Sequence, residues 1–121
     1  METFKGLVVW QKSHNLVLEI YNITKKFPDE ERFGLVSQLR RAIASVPTNI
    51  VEGFKRKGKR EFSHFLNLAD SSLEETKYHL ILCKDLNYLE NNKYLNLNLK
   101  CEEIGRMLSG LQKKINGINC N

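Results

Sequence analysis

The chain has 121 residues and a net charge of +5, and 41% of its residues are apolar and 27% charged. Such fractions are typical of a globular protein and argue against a chain that is disordered throughout. No apolar run approaches the roughly 18 residues that a membrane-spanning helix needs, and no basic-then-apolar leader begins the sequence. We therefore expect one domain, residues 1–121, located in the cytoplasm and without a membrane partner.

The core-facing positions of the first predicted helix recur every three or four residues, at Trp10, Ser13, Val17, Ile20, Thr24 and Phe27. The dipeptide Phe27-Pro28 is predicted to end this helix, because proline disfavours helical backbone in the residue before it. Asp29 is predicted to cap the start of the second helix.

The second predicted helix buries the positions Leu35, Leu39, Ala42, Ile43, Val46, Ile50 and Phe54, and Gly58 is predicted to end it. Pro47 lies inside this helix and removes the hydrogen bond that the Ile43 carbonyl would accept, so we expect a kink at residues 43–47. A polar stripe runs beside the apolar one, at Gln38, Arg41, Ser45, Thr48 and Glu52. This stripe is either a plain polar face or a subunit or ligand surface.

The third and fourth predicted helices have a seven-residue pattern of alternating steps of three and four. The positions are Phe62, Leu66, Ala69, Leu73, Thr76, Leu80, Cys83 and Asn87, then Tyr94, Leu97, Cys101, Ile104, Leu108, Leu111, Ile115 and Ile118. Strand signals are absent except for one brief alternation. The sequence therefore predicts an all-α fold, an antiparallel up-down-up-down four-helix bundle.

Additional residues flank the stripe of the third helix: Phe65, Leu68, Ser72, His79 and Leu86. They indicate either a wide core face or a surface for self-association.

Five basic residues fall within residues 55–60, the segment that we call the basic turn: Lys55, Arg56, Lys57, Lys59 and Arg60. Residues 34–62 carry seven basic and two acidic residues, which accounts for the whole net charge of +5. Cations at the end of the second helix complement its negative terminus. Lys59 and Arg60 begin the third helix, where each should cost about 0.3–1 kcal/mol.

A docked anion would explain cations at a positive helix terminus, since backbone N–H groups there bind phosphate. A solvated turn that maintains solubility is the alternative. Phe54, Phe62 and Phe65 lie nearby, but their spacing favours core anchors over base stacking.

Signals for catalysis are weak. Glu61 and His64 have the Glu-x-x-His spacing of carboxylate-bridged metal pairs, but the second copy that such a site needs does not occur. The cysteines Cys83, Cys101 and Cys120 match neither a disulfide framework nor a zinc pattern, so we expect Cys83 and Cys101 to be core residues. We expect no enzyme, no metal and no cofactor.

Three neighbouring stretches carry a resemblance: Phe33-Gly34-Leu35, Gln38-Leu39-Arg40-Arg41-Ala42, and Ser45-Val46-Pro47-Thr48-Asn49-Ile50-Val51-Glu52-Gly53. They resemble the "FGL..Q.RRA..S...NI.EG" core of a bacterial four-helix-bundle family, the proteins encoded within 23S ribosomal RNA intervening sequences. This family also includes the accessory variability determinant proteins of diversity-generating retroelements.

The resemblance implies a homopentameric ring of bundles with a positive surface. For the retroelement members it also implies binding to nucleic acid and to a reverse transcriptase. The positions that carry over as family-motif or interface residues are Gln38, Arg40, Arg41, Ser45, Asn49, Glu52 and Gly53.

Together these observations predict a non-catalytic, oligomeric protein that binds the RNA or DNA backbone through the basic turn, with Arg40 and Arg41 contributing. A protein-interaction scaffold that does not bind nucleic acid is the alternative. In that case the polar stripe of the second helix or the additional apolar surface of the third helix would contact the partner.

Overall fold

The computed structural model describes residues 3–117. Its α-helices are α1 (Val8–Thr24), α2 (Leu35–Lys55), α3 (Lys59–Asp85) and α4 (Asn91–Asn116), with short 3-10 turns at Phe4–Gly6 and Asp29–Glu31. Residues 3–117 contain no strand, and none of their helices is long and apolar enough to cross a membrane. The predicted all-α fold with four helices is confirmed.

One apolar core draws on all four helices, with Ile20, Ile43, Leu80 and Leu108 each fully buried. The seven-residue patterns identified the core faces of α3 and α4 correctly. The buried positions there include Leu66, Ala69, Leu73, Thr76, Leu80, Cys83, Leu97, Cys101, Ile104 and Leu108. Ile118 and Cys120 lie outside the described residues.

Asn87 does not continue the core stripe of α3, as the pattern had predicted. The helix ends at Asp85, and Asn87 has a left-handed backbone with φ of 67°. The Asn87 N–H donates to the Lys84 carbonyl and the Tyr88 N–H to the Cys83 carbonyl, each at 2.9 Å. This is the Schellman arrangement, in which Asn substitutes for the usual glycine and satisfies the last carbonyls of the helix.

The connection between α1 and α2 is longer than predicted. The first helix ends at Thr24 rather than at Phe27, and Asp29 begins a 3-10 turn instead of capping α2. The residue before α2 is Gly34, and the Leu35 N–H donates to Glu31 Oε1 at 3.4 Å. A carboxylate therefore does satisfy an N–H group at the start of α2, but it comes from the 3-10 turn.

Gly58 does not end α2. The helix ends at Lys55, Arg56 turns the chain into an extended conformation, and Gly58 is the N-cap of α3, with φ of −107° and ψ of 149°. Because Arg56 leaves the helix through extended backbone, no left-handed glycine is needed there. Glycine is tolerated at an N-cap.

Pro47 is buried within α2, which extends on both sides of it. Two side chains just beyond Pro47 add hydrogen bonds to this part of the helix. Thr48 Oγ1 donates to the Ala44 carbonyl at 2.8 Å, and the Asn49 amide donates to the Ser45 carbonyl at 2.8 Å. The kink expected at residues 43–47 stays a prediction.

Each helix packs on the next one along the chain, and α1 also contacts α4, so the four helices enclose the core. Side-chain contacts show which parts of neighbouring helices meet. Ser45 is bonded to Ser72, Ser63 to Gln112, Lys12 to Glu103 and Glu19 to Lys93. The last turns of α4 therefore lie beside the first turns of α3.

Candidate nucleic-acid interface

The basic turn connects α2 and α3, as predicted. Lys55 is the last residue of α2, and Lys59 and Arg60 are the first two residues of α3. All five cations of the turn are exposed. None of them takes part in an ion pair within residues 3–117. Their positive charge is therefore presented to solvent.

A groove of about 760 Å³, which we call the α3–α4 groove, lies beside this turn. The first turns of α3 and the last turns of α4 form it, with the lining residues Lys59, Arg60, Ser63, His64, Asn67, Lys114, Ile115, Asn116 and Gly117. Three cations and a histidine line the groove, and among residues 3–117 no carboxylate does. Such a lining favours an anion.

Amide side chains of α4 hold the groove together. The Gln112 side chain donates to the Ser63 carbonyl at 3.0 Å and to Asn67 Oδ1 at 2.8 Å, and the Asn116 amide donates to Ser63 Oγ at 3.2 Å. These bonds place the C-terminal end of α4 against the start of α3, so Lys114 joins Lys59 and Arg60.

Sequence reasoning missed Lys114, His64 and Asn67 as members of this site. The signal that could have found Lys114 lies in the seven-residue patterns. Pairing Phe62, the start of the α3 pattern, with Ile115, near the end of the α4 pattern, places the neighbouring Lys114 near the basic turn.

A second pocket lies next to the basic turn, on the side of the N-terminal segment. We call it the Phe4–Phe54 pocket; it has a volume of about 570 Å³ and is lined by Thr3, Phe4, Val51, Glu52, Phe54, Lys55 and Arg56. Phe62, by contrast, packs against the core, in agreement with its predicted role as an anchor. The Arg56 guanidinium lies 4.8 Å from the centre of the Phe65 ring, a cation–π contact.

Arg40 lies about 22 Å along α2 from Lys55, at 1.5 Å per residue, and its side chain is bonded within the chain. Its Nε donates to Thr24 Oγ1 at 2.9 Å and its Nη2 to the Tyr21 carbonyl at 3.1 Å. The guanidinium also stacks over the Tyr21 ring at 4.5 Å. Arg40 therefore joins α2 to the last turn of α1, where a cation complements the helix terminus.

Arg41 is exposed and lines a polar groove of about 380 Å³ between α2 and α3. We call this the α2–α3 groove, and its lining residues are Gln38, Arg41, Ala42, Ser45, Ser72 and Glu75. Three members of the predicted polar stripe thus face a shared cleft with α3. Arg41 and the basic turn belong to different surfaces.

Comparison with known proteins decides the family. A family model described as 23S rRNA-intervening sequence protein matches residues 5–110. This chain belongs to the 23S rRNA-intervening sequence protein family. The family predicted from the motif in α2 is thereby confirmed, and the link to retroelements stays a prediction.

The fold is similar to that of a solved structure, a protein of unknown function from the S23 ribosomal protein family of Bacteroides thetaiotaomicron. The two chains share 29% sequence identity with a TM-score of 0.81, over 88% of this chain and 96% of the other. No curated protein sequence matches the chain.

The motif residues of this intervening-sequence protein serve packing as well as surface chemistry. A Cβ atom on Gly53 would lie 2.8 Å from Phe65 Cβ and 2.9 Å from Phe62 Cδ1, so the glycine lets α2 approach α3 closely. Ser45 Oγ accepts hydrogen bonds from Ser72 Oγ at 2.9 Å and from the Asn49 amide at 3.0 Å. Glu52 lines the Phe4–Phe54 pocket.

The groups considered for catalysis have other environments. Cys83 and Cys101 are buried in the core, as predicted, and burial raises the pKa of each thiol to about 12, so both stay protonated at neutral pH. Within residues 3–117 no group of three or more His, Cys, Asp and Glu side chains is placed to hold a metal ion. His79 is buried and contacts Glu75 through Nε2 at 3.2 Å.

Proposed function

We propose that this protein is a non-catalytic nucleic-acid-binding protein whose basic turn and α3–α4 groove bind the phosphate backbone. The observation that carries the proposal is the convergence of Lys59, Arg60 and Lys114 on one groove to which no carboxylate of residues 3–117 contributes. A phosphate docked there would be stabilised by all three cations.

The electrostatics of the helix start support the same proposal. Lys59 and Arg60 occupy the positive end of a 27-residue helix, where each cation costs about 0.3–1 kcal/mol and the Glu61 carboxylate of the same turn offsets only part of that cost. The first turn of a helix also has N–H groups without helical partners, which bind phosphate oxygens. A bound phosphate therefore converts an unfavourable arrangement into a favourable one.

Binding of this kind follows the backbone and carries little base specificity, because phosphate contacts are the same at every nucleotide. Each contact is worth little by itself at physiological salt. An assembly that presents several grooves to one strand would multiply the affinity through effective concentration.

The proposal therefore includes assembly of single-domain subunits into a ring, a pentamer by resemblance to the family. Each subunit would be an antiparallel up-down-up-down bundle, which the contacts of Ser45 with Ser72 and of Gly53 with Phe65 support for α2 and α3. Leu68 on α3 and Leu86, the residue directly after α3, are 39% and 45% exposed and are candidates for the subunit contact. A reverse transcriptase is the expected partner only if the protein belongs to the retroelement branch.

The experiment that tests the proposal is fluorescence anisotropy of a labelled RNA titrated with the protein at several salt concentrations. We expect affinity to fall steeply with salt, because phosphate contacts release counterions. The double variant Lys59→Glu/Arg60→Glu should lower the slope of log affinity against log salt by roughly 1 to 2, since two contacts are lost.

The matched control is Lys25→Glu/Lys26→Glu, which makes the same change of charge at exposed residues just after α1. Screening limits its effect on the groove, because the Debye length is about 8 Å at physiological salt. Equal affinity of both double variants and the unchanged protein, with the fold intact by circular dichroism, would refute the proposal.

A specific observation also favours the scaffold function. The α2–α3 groove combines the Arg41 cation with the Glu75 carboxylate and two serines, a lining suited to polar groups of a protein partner. A partner that co-purifies after nuclease treatment and is lost with Arg41→Ala would support it. Loss of the same partner with Lys59→Glu/Arg60→Glu instead would assign the contact to the basic turn.

A further inference from the structure

An acidic residue in the most basic corner of the molecule needs an explanation. Glu52 lines the Phe4–Phe54 pocket together with Lys55 and Arg56. Glu52 is exposed, and it forms no ion pair within residues 3–117. A carboxylate at this position repels phosphate groups. Glu52 therefore has no favourable role on a surface that contacts only the phosphate backbone of a nucleic acid.

The remaining lining of the pocket is the apolar Val51, the aromatic Phe4 and Phe54, and one polar residue, Thr3. Phe4 and Phe54 are half-buried, and each ring is held by a contact with one other aromatic ring. The Phe4 ring centre lies 5.0 Å from that of Trp10, and the Phe54 ring centre lies 6.1 Å from that of Phe62. The pocket volume of about 570 Å³ is within the range of small-molecule sites.

The position of the pocket indicates the chemistry of its occupant. Lys55 and Arg56 line the pocket, and Lys59 of the α3–α4 groove follows Arg56 by three residues, a separation of at most about 11 Å. An occupant with an aromatic ring and with negative charge next to that ring matches this arrangement. A nucleotide within a strand has that combination.

We propose that the Phe4–Phe54 pocket receives one unpaired nucleobase of a strand whose phosphates lie on the basic turn, and that Glu52 accepts a hydrogen bond from the exocyclic amino group of that base. This inference rests on the proposed function. Stacking on aromatic rings serves every base, whereas a carboxylate acceptor suits bases that carry an amino group, such as cytosine. Uracil presents no exocyclic amino group.

Two consequences follow for the choice of nucleic acid. A paired base within a duplex is not available to enter a pocket, so single strands should bind more tightly than a duplex of equal length. Among single strands, oligocytidine should bind more tightly than oligouridine. Both preferences should depend on the pocket and not on the α3–α4 groove.

The test compares the affinities of oligocytidine, oligouridine and a duplex RNA by fluorescence anisotropy. Phe4→Leu keeps the pocket apolar but removes one aromatic face, and we expect it to weaken oligocytidine binding about 5-fold or more while duplex binding is unchanged. Glu52→Gln should reduce the preference for oligocytidine over oligouridine several-fold. The matched control Glu61→Gln neutralises an exposed carboxylate outside the pocket and should leave that preference unchanged.

The outcomes separate this inference from the proposed function. Suppose that the variants Phe4→Leu and Glu52→Gln bind all three nucleic acids as tightly as the unchanged protein does, while the double variant Lys59→Glu/Arg60→Glu binds none of them. The pocket is then not a base site, and phosphate binding at the basic turn and the α3–α4 groove is retained as the function. If Phe4→Leu changes the oligomeric state without RNA, the pocket belongs to a subunit contact and the inference is wrong. If the unchanged protein binds none of the three at low salt, both proposals are overturned.

Discussion

The contacts between α2 and α3 differ in kind from those between α1 and α4. Small residues of α2 meet α3 at close range, since a Cβ on Gly53 would lie 2.8 Å from Phe65 Cβ. Long charged side chains connect α1 to α4. Glu19 accepts hydrogen bonds from Lys93 and Lys100, each at 2.7 Å, and Lys12 pairs with Glu103 at 3.2 Å.

The difference between these two helix contacts indicates where the fold tolerates amino-acid substitutions. Where two helix backbones approach closely, one added methyl group has no space, because protein interiors are packed at crystal density. Where charged side chains connect two helices at the surface, each ion pair is worth only about 0–1 kcal/mol, and solvent takes over when one is lost. Sequence change should therefore be limited far more strictly between α2 and α3.

The largest expected effect is that of Gly53→Ala. Overpacking against Phe62 and Phe65 should lower the free energy of unfolding by about 1–3 kcal/mol, measured by urea denaturation followed by circular dichroism. The control is Gly110→Ala in α4, where a Cβ would meet no atom of residues 3–117 within 4 Å apart from the adjoining backbone of its own helix. That variant should be stabilised by about 0.5–1 kcal/mol, because alanine favours helix. Equal stabilisation by both substitutions would contradict the close contact between α2 and α3.

Loss of a contact between α1 and α2 should lower the free energy of unfolding by an intermediate amount. Alanine substitutions of the adjacent residues Arg40 and Arg41 test this. Arg40→Ala removes two hydrogen bonds and a cation–π contact, and we expect a loss of about 1–2 kcal/mol in the free energy of unfolding. Arg41→Ala, at an exposed position on the same helix, should change stability by less than about 0.5 kcal/mol. A larger loss in the free energy of unfolding for Arg41→Ala than for Arg40→Ala would contradict the assignment of Arg40 as the residue that joins α2 to α1.

The smallest effect should come from the ion pairs between α1 and α4, and it should depend on pH. Burial by itself raises the pKa of the Glu19 carboxyl, but the hydrogen bonds and charges of Lys100 and Lys93 outweigh it and hold the pKa below its ordinary value of 4.5. A lowered folded-state pKa stabilises the protein above that ordinary value, and the stabilisation is lost as pH falls through the folded pKa. The loss of stability in Glu19→Gln should therefore be largest near neutral pH, at most about 1 kcal/mol.

Urea denaturation of the unchanged protein and of Glu19→Gln, at several pH values between neutral and acidic, measures how this loss of stability depends on pH. The two proteins share all their other titrating groups, so the difference between them reports on Glu19. The difference between them should shrink as pH falls below 4.5. Glu103→Gln, which loses one ion pair between half-exposed side chains, should show a smaller difference at every pH. A difference for Glu19→Gln that grows towards acidic pH would have the wrong sign and would rule out the role given to Lys93 and Lys100.

The helix boundaries show which features of the fold the spacing of apolar residues predicts and which it does not. Periodicity predicted α3 and α4 well, because a repeat sustained over more than twenty residues leaves one possible core face. It failed at Thr24, Gly58 and Asn87, where the end of a helix depends on one turn and on its capping bonds. Such bonds, for example that of Leu35 N–H with Glu31, depend on side-chain geometry rather than on hydrophobic spacing.

The sequence by itself determined the number of helices, their core faces and the position of the basic turn, because these follow from the spacing of apolar residues and from charge along one chain. Only the tertiary structure decided which cations act together. Packing of α3 on α4 brings Lys114 to Lys59, while packing of α1 on α2 gives Arg40 its partners within the chain. The physical reason is that the role of a charge depends on its neighbours in space, and helix packing sets those neighbours.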